Sequence, residues 1–242
     1  VNGGPYIDCI GSFGTYICSH RNPEILKYVN KQMDRLTLSS TELLEPLRGY
    51  LCKILAMITP GDLQYSYLTN GGAEAVEMAL KLAVLYNGPG YFISTVRGFH
   101  GKSMGAVSMT GNPDFRRPYL PMIQQVQHIE FGNAAALETN IKNLIAVGEK
   151  VTAFIVEPVQ GEAGCNVPPV GYLKACRDIC DKYGVVMIAD EIQTGLGRTG
   201  YLWRCNMEDV VPDIMTFGKI SSGGIIPITG IISRKHIFEK SG

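Results

Sequence analysis

Five short groups of residues in this sequence carry side chains able to do chemistry, and each stands where an apolar run gives way to glycine or charge. Asn70-Gly71-Gly72-Ala73-Glu74 opens a segment of helical spacing. Glycine lets a ligand approach the backbone closely, and the free N–H groups and positive dipole end of a helix N-terminus suit a phosphate. An ordinary glycine-rich turn would read the same way. Gly98-Phe99-His100-Gly101 sets an aromatic ring between glycines, as a stacking platform for a flat ligand or as a loop aromatic packed into the core. Glu157-Pro158-Val159-Gln160-Gly161-Glu162 delivers two carboxylates into a loop, toward a ligand or toward solvent. Asp190-Glu191-Ile192-Gln193-Thr194-Gly195 directly follows an apolar run. A carboxylate there needs a cation, such as a protonated ring nitrogen, or hydrogen bonds to stay charged; a helix N-cap is the competing role. Lys219 lies between strand-like residues and Ser221-Ser222-Gly223-Gly224. Partial burial would depress its pKa and make it a Schiff-base amine; a surface lysine is the alternative.

Groups so far apart in sequence need a scaffold that gathers them. Residues 42 to 58 read as an amphipathic helix, with Leu43, Leu44, Leu47, Leu51, Ile54, Leu55 and Ile58 at helical spacing and a stop at Pro60-Gly61. A strand is expected near residues 65 to 68, then a turn at Asn70-Gly71-Gly72, then a helix carrying Ala73, Val76, Leu80 and Leu82. Further strands are expected over 91 to 94, 153 to 156, 185 to 189, 213 to 217 and 228 to 233. A helix over 170 to 183 ends at Gly184, a suitable C′ glycine. The unbroken apolar run 185 to 189 suits a strand buried on both faces. Strands alternating with helices give an α/β fold with a mostly parallel sheet and helices on both faces. Ligands of such sheets bind beyond the carboxyl ends of the strands, where the five groups fall.

Taken together, the groups describe one ligand with a phosphate at Gly72 and Ala73, an aromatic ring at Phe99, a basic ring nitrogen at Asp190 and an aldehyde at Lys219. Pyridoxal phosphate has all four parts. The motifs Asn70-Gly-Gly-Ala-Glu-Ala-Val-Glu77, Gly98-Phe-His-Gly-Lys-Ser103, Glu157-Pro-Val-Gln-Gly-Glu162, Asp190-Glu-Ile-Gln-Thr-Gly-Leu-Gly-Arg-Thr-Gly200 and Pro212-Asp-Ile-Met-Thr-Phe-Gly-Lys219 resemble those of class III aminotransferases, of pyridoxal-phosphate fold type I. The resemblance runs through nearly the whole chain, and the stretch from Asp190 to Lys219 is its most specific part. Within that family the chain looks most like putrescine aminotransferases, an impression to which His20-Arg-Asn-Pro23 and Glu42-Leu-Leu-Glu-Pro-Leu-Arg48 add more weakly.

The resemblance implies roles. Lys219 is the Schiff-base lysine and proton shuttle. Asp190 pairs with the ring nitrogen. Phe99 and Ile192 flank the ring, Gln193 donates to its phenolic oxygen, and Gly72 and Ala73 hold the phosphate through backbone N–H. His100 and Glu157 join the cofactor-binding set. Glu162 stands where the family keeps a gating acid that pairs with an arginine further along the chain. The implied partners are a small-molecule amine and a 2-oxo acid such as 2-oxoglutarate, and the implied assembly is a homodimer or an assembly of dimers. Some positions depart from the pattern. Gly71 and Ala73 replace hydroxyl residues, Lys102 replaces an arginine, and Ile220-Ser221-Ser222 replaces Ala-Leu-Gly. The resemblance divides the chain into an N-terminal or small-domain segment over 1–40 and a cofactor-binding large domain over 41–242. The chain opens on Val1 rather than Met and stops before the family's C-terminal domain, so a longer native polypeptide is expected. Acetylornithine, ornithine and 4-aminobutyrate remain alternative donors. A glutamate-semialdehyde-type aminomutase shares these motifs, and a non-catalytic relative would keep the fold without the lysine.

Composition sets outer bounds. Lys plus Arg and Asp plus Glu each number 22, so no basic excess points to nucleic acid. No apolar run reaches the roughly 20 residues a membrane span needs. The cysteines are scattered without metal spacing, as free thiols in a reduced cytoplasm would be; neither a metal nor a signal peptide is expected.

Overall fold

The computed structural model describes residues 3–40, 42–122 and 125–240. Seven strands, β1 (Leu63–Thr69), β2 (Tyr91–Thr95), β3 (Val126–Ile129), β4 (Val151–Val156), β5 (Val186–Asp190), β6 (Ile214–Phe217) and β7 (Thr229–Arg234), form one sheet in the order β1-β7-β6-β5-β4-β2-β3. The pairs from β6 through β5, β4 and β2 to β3 are parallel. β7 runs antiparallel to both β6 and β1. Two reversals restore the direction, so β1 ends on the same side of the sheet as the parallel strands. The helices are α1 (Gly11–Gly14), α2 (Pro23–Met33), α3 (Pro46–Ile58), α4 (Gly72–Asn87), α5 (Met104–Met109), α6 (Pro113–Arg116), α7 (Ala134–Ala146), α8 (Tyr172–Tyr183) and α9 (Lys235–Glu239).

The unbroken apolar strands bury both faces, and successive residues divide between two cores. Ala153, Ile155, Val186 and Ile188 pack with Val76, Ala79 and Leu80 of α4 and with Ala106 and Met109 of α5. Phe154, Val156, Met187 and Ala189 pack with Leu137 and Ile141 of α7 and with Leu173, Cys176 and Cys180 of α8. This is the period-two alternation of a strand between two helical layers. A buried ion pair fixes the start of β6. Asp213 accepts from Arg177 on α8 at 2.7 Å and from the backbone N–H of Met187 at 2.8 Å. Pairing and hydrogen bonding together keep such a charge tolerable in the interior.

Several elements differ from the sequence reading. α3 starts at Pro46, not at residue 42, because proline disfavours helical backbone in the residue before it and suits the first helical position. Glu45 caps the helix by accepting from the N–H of Arg48 at 2.7 Å. Of its apolar stripe, Leu55 is buried while Leu43, Leu44, Leu47 and Ile54 are exposed. β3 and α7 lack a clear signature. β3 is a four-residue edge strand in which Gln127 and His128 interrupt the apolar pattern. α8 ends at Gly184 in the left-handed region, as the sequence indicates.

Burial pushes the Cys176 thiol up to about 12, the state of an inert core thiol. Among the described residues no group of three His, Cys, Asp or Glu could hold a metal ion, and no helix is long and apolar enough to cross a membrane.

Candidate active site

The carboxyl ends of β2, β4, β5 and β6 open into one cavity of about 250 Å³. β1 reaches the same rim and turns through Asn70 and Gly71 into α4. The cavity is lined by Gly72, Ala73, Phe99, His100, Gly101, Glu157, Glu162, Asp190, Ile192, Gln193, Lys219 and Thr229. Every residue singled out in the sequence as catalytic, cofactor-binding or gating therefore faces one space. The sequence does not mark Thr229, and it marks Gly101 only as a glycine beside the ring of Phe99. Thr229 reaches the rim because β7 is antiparallel and begins where its neighbours end, and its hydroxyl meets that of Thr69 at 2.6 Å.

Asp190 is the most constrained group in the cavity. It is 4% exposed, and its carboxylate accepts from His100 Nδ1 at 2.7 Å, Thr216 Oγ1 at 2.9 Å and the N–H of Ile192 at 3.2 Å. Thr216 is its neighbour in register on β6. Nε2 of His100 is buried with no hydrogen-bond partner among the described residues. Lys219 follows β6 through Gly218 and adopts φ +47, the left-handed region, which a side chain enters at a cost of roughly 1–2 kcal/mol. Active sites commonly keep such outliers. Burial lowers the Lys219 pKa; the charges of Asp190, Glu157 and Glu162 act against that shift. A larger fraction of neutral amine results, as a nucleophile or proton acceptor requires.

Glu157 is buried, and its two oxygens tie loops together. Oε1 accepts from the N–H of Phe99 at 2.8 Å and Oε2 from that of Gly161 at 3.2 Å. Burial raises its pKa and the nearby Asp190 adds to the rise. Phe99 packs edge-on against Phe115 with centroids 5.1 Å apart, which fixes the ring from outside. Glu162 is exposed at the mouth. Gln193 donates from Nε2 to the carbonyl of Phe13 at 3.1 Å, and Arg198 donates to that of Gly14 at 2.9 Å. These two bonds lay the N-terminal turn against the mouth, a contact across about 180 residues that no local pattern announces.

α4 begins at this cavity with no side chain capping its N-terminus. Glu74 instead accepts from the N–H of Asn70 at 2.9 Å and shapes the preceding turn. The first-turn N–H groups of Gly72 and Ala73 thus remain for an anion. Free N–H groups at Gly72 and Ala73, the apolar side chains of Phe99 and Ile192 on the lining, a buried carboxylate and a depressed lysine amine fit pyridoxal phosphate.

A family model described as aminotransferase class-III matches residues 1–241. The chain is also similar to several solved structures. The ornithine aminotransferase from Toxoplasma gondii, in a form described with partial occupancy of PLP at its active site, is 31% identical with a TM-score of 0.91; the match covers 100% of this chain and 58% of that one. An (S)-enantioselective omega-transaminase from Thermomicrobium roseum is 32% identical with a TM-score of 0.90, covering 97% and 58%. The adenosylmethionine-8-amino-7-oxononanoate aminotransferase from Methanocaldococcus jannaschii is 29% identical with a TM-score of 0.91, covering 97% and 57%. The chain thus spans a little over half the length of these proteins.

Proposed function

Because this chain belongs to the class-III aminotransferase family, whose members depend on pyridoxal phosphate, we propose that it moves an amino group from a terminal primary amine to a 2-oxo acid such as 2-oxoglutarate. The observation that carries this reading is the meeting of Asp190 and Lys219 in one cavity. When bound, pyridoxal phosphate supplies an aldehyde that captures a primary amine and a ring that takes up the electrons left when a C–H proton departs. The chain's residues supply the rest. Asp190, held by His100 and Thr216, keeps a negative charge opposite a ring nitrogen and so favours its protonated form. Lys219 Nζ, depressed by burial, would take the proton from the amine-bearing carbon and return it across the nitrogen, at the carbon that the cofactor's aldehyde supplies. Gly72 and Ala73 hold the phosphate, Phe99 and Ile192 flank the ring, and Glu157 fixes the loops that carry Phe99 and Gly161.

We assign a putrescine-like diamine or an omega-amino acid as the donor. Among the described residues that line the cavity, Glu162 is the carboxylate exposed at the mouth, while Glu157 and Asp190 are buried and hydrogen-bonded within the site. A carboxylate at the mouth favours a donor whose far end carries a second ammonium group over one whose far end carries a carboxylate. A panel of putrescine, ornithine, acetylornithine and 4-aminobutyrate with 2-oxoglutarate tests this. Putrescine should give the highest kcat/KM, and turnover should require the oxo acid. A clear preference for a donor bearing a carboxylate would remove the diamine assignment, and isomerisation without acceptor would indicate an aminomutase.

We further propose that residues 1–40 form a segment apart from a cofactor-binding large domain over 41–242; Thr41, at the boundary, lies outside the described residues. In support, no described residue before Leu55 is buried. Residues 7 to 57 expose Ile7, Ile10, Phe13, Tyr28, Leu44, Tyr50, Ile54 and Met57, a density of apolar surface suited to an obligate partner. We propose a homodimer or an assembly of dimers on that ground. Sedimentation of the full-length protein should give at least twice the protomer mass, and a fully active monomer would contradict it.

A further inference from the structure

Glu77 lies on α4, five residues beyond Gly72, and does not line the cavity. Its Oε1 nevertheless accepts three hydrogen bonds from the start of α5: from Ser103 Oγ at 2.6 Å, the N–H of Gly105 at 2.8 Å and the N–H of Ala106 at 3.1 Å. One carboxylate thus satisfies two of the N–H groups that the first turn of a helix leaves open. The approach depends on Gly105, because a Cβ there would lie 2.3 Å from Oε2. A six-residue helix makes too few internal hydrogen bonds to hold its own position, so the clasp sets where α5 begins.

Between β2 and α5 runs the loop that carries Phe99 and His100. Its far side is anchored as well: the N–H of His100 donates to Thr110 Oγ1 at 3.0 Å, and that hydroxyl donates to the carbonyl of Gly101 at 3.2 Å. Gly101 adopts φ +126, open to glycine alone, and a Cβ there would stand 2.9 Å from Cα of Ala73. The ring-stacking loop and the phosphate-holding turn thus touch at Gly101 and Ala73 and are tied together at Glu77.

We propose that Glu77 is a positioning residue that locks the Phe99–His100 loop at a fixed distance from the Gly72–Ala73 turn, so that the ring and the phosphate of one cofactor are gripped as a unit. This rests on pyridoxal phosphate being the cofactor. The test compares binding of pyridoxal phosphate with that of pyridoxal, which lacks the phosphate, in the full-length apoprotein. The ratio of the two dissociation constants reports the coupling between the ring and phosphate sites. Glu77→Met removes the acceptors at similar length, Gly105→Ala displaces the carboxylate without altering it, and Glu77→Gln keeps an oxygen at Oε1. The Met and Ala variants should lower the ratio by about tenfold, the worth of one or two net hydrogen bonds, and alter the visible circular dichroism of the bound cofactor, while Glu77→Gln stays within about threefold. If the Met variant does not fold, Gly105→Ala carries the test. A lower Tm with both affinities weakened equally and the ratio unchanged would overturn the proposal, because a merely structural role acts on both ligands alike. Failure of the unaltered protein to bind pyridoxal phosphate would instead overturn the cofactor reading.

Discussion

Replacing Lys219 with alanine is expected to abolish covalent capture of the cofactor and to lower turnover by about four orders of magnitude or more, the upper range for a positioned acid–base group. The residue combines three properties that rarely coincide. It lies two residues beyond the end of β6, the strand paired with the one that ends at Asp190, sits in left-handed backbone, and has its amine pushed down by burial although three nearby carboxylates oppose the shift. Borohydride reduction and peptide mapping should place the cofactor mass on the peptide containing Lys219. Finding it on Lys81 or Lys174 would sink the assignment. The alanine variant should still bind pyridoxal phosphate without the covalent bond, because the phosphate and ring contacts are untouched. A small added amine should restore part of the rate, since it supplies the missing base at the cost of lost positioning.

Asp190→Asn should slow the half-reaction with amine by about a thousandfold, a barrier increase of roughly 4 kcal/mol. The substitution keeps size and shape but loses the charge opposite the ring nitrogen. A buried carboxylate held by three hydrogen-bond donors is preorganised, so its effect on the ring is not spent on reorganisation. Cofactor affinity should fall less, by about tenfold, because the phosphate grip proposed for Gly72 and Ala73 would remain. Stopped-flow absorbance of the half-reaction separates the two effects. A variant reacting at the unaltered rate would show that Asp190 does not control the ring's capacity to accept electrons.

Much of this arrangement is legible in the sequence because strand ends announce themselves locally. The run Val185 to Ala189 stops at Asp190, and the run before Gly218 stops at Lys219, so two chemical groups can be placed at carboxyl ends without knowing the sheet order. The α3 start is misjudged where a leucine pattern outweighs a proline, since periodicity does not register the steric block at residue 45. The same pattern cannot tell a core stripe from an exposed one, because facing the core and facing a partner demand the same residues.

Local sequence determined the elements and the type of group at each strand end, for backbone preference and hydrophobic period are properties of near neighbours. Only the tertiary structure decided which groups meet. His100 reaches Asp190 across 90 residues and Gln193 reaches Phe13 across 180. Glu77 clasps α5, and Thr229 comes to the rim through the reversal of β7. These contacts depend on the order and direction in which strands pair. That order follows from burying two sheet faces at once, a balance summed over the whole chain and written in no single segment of it.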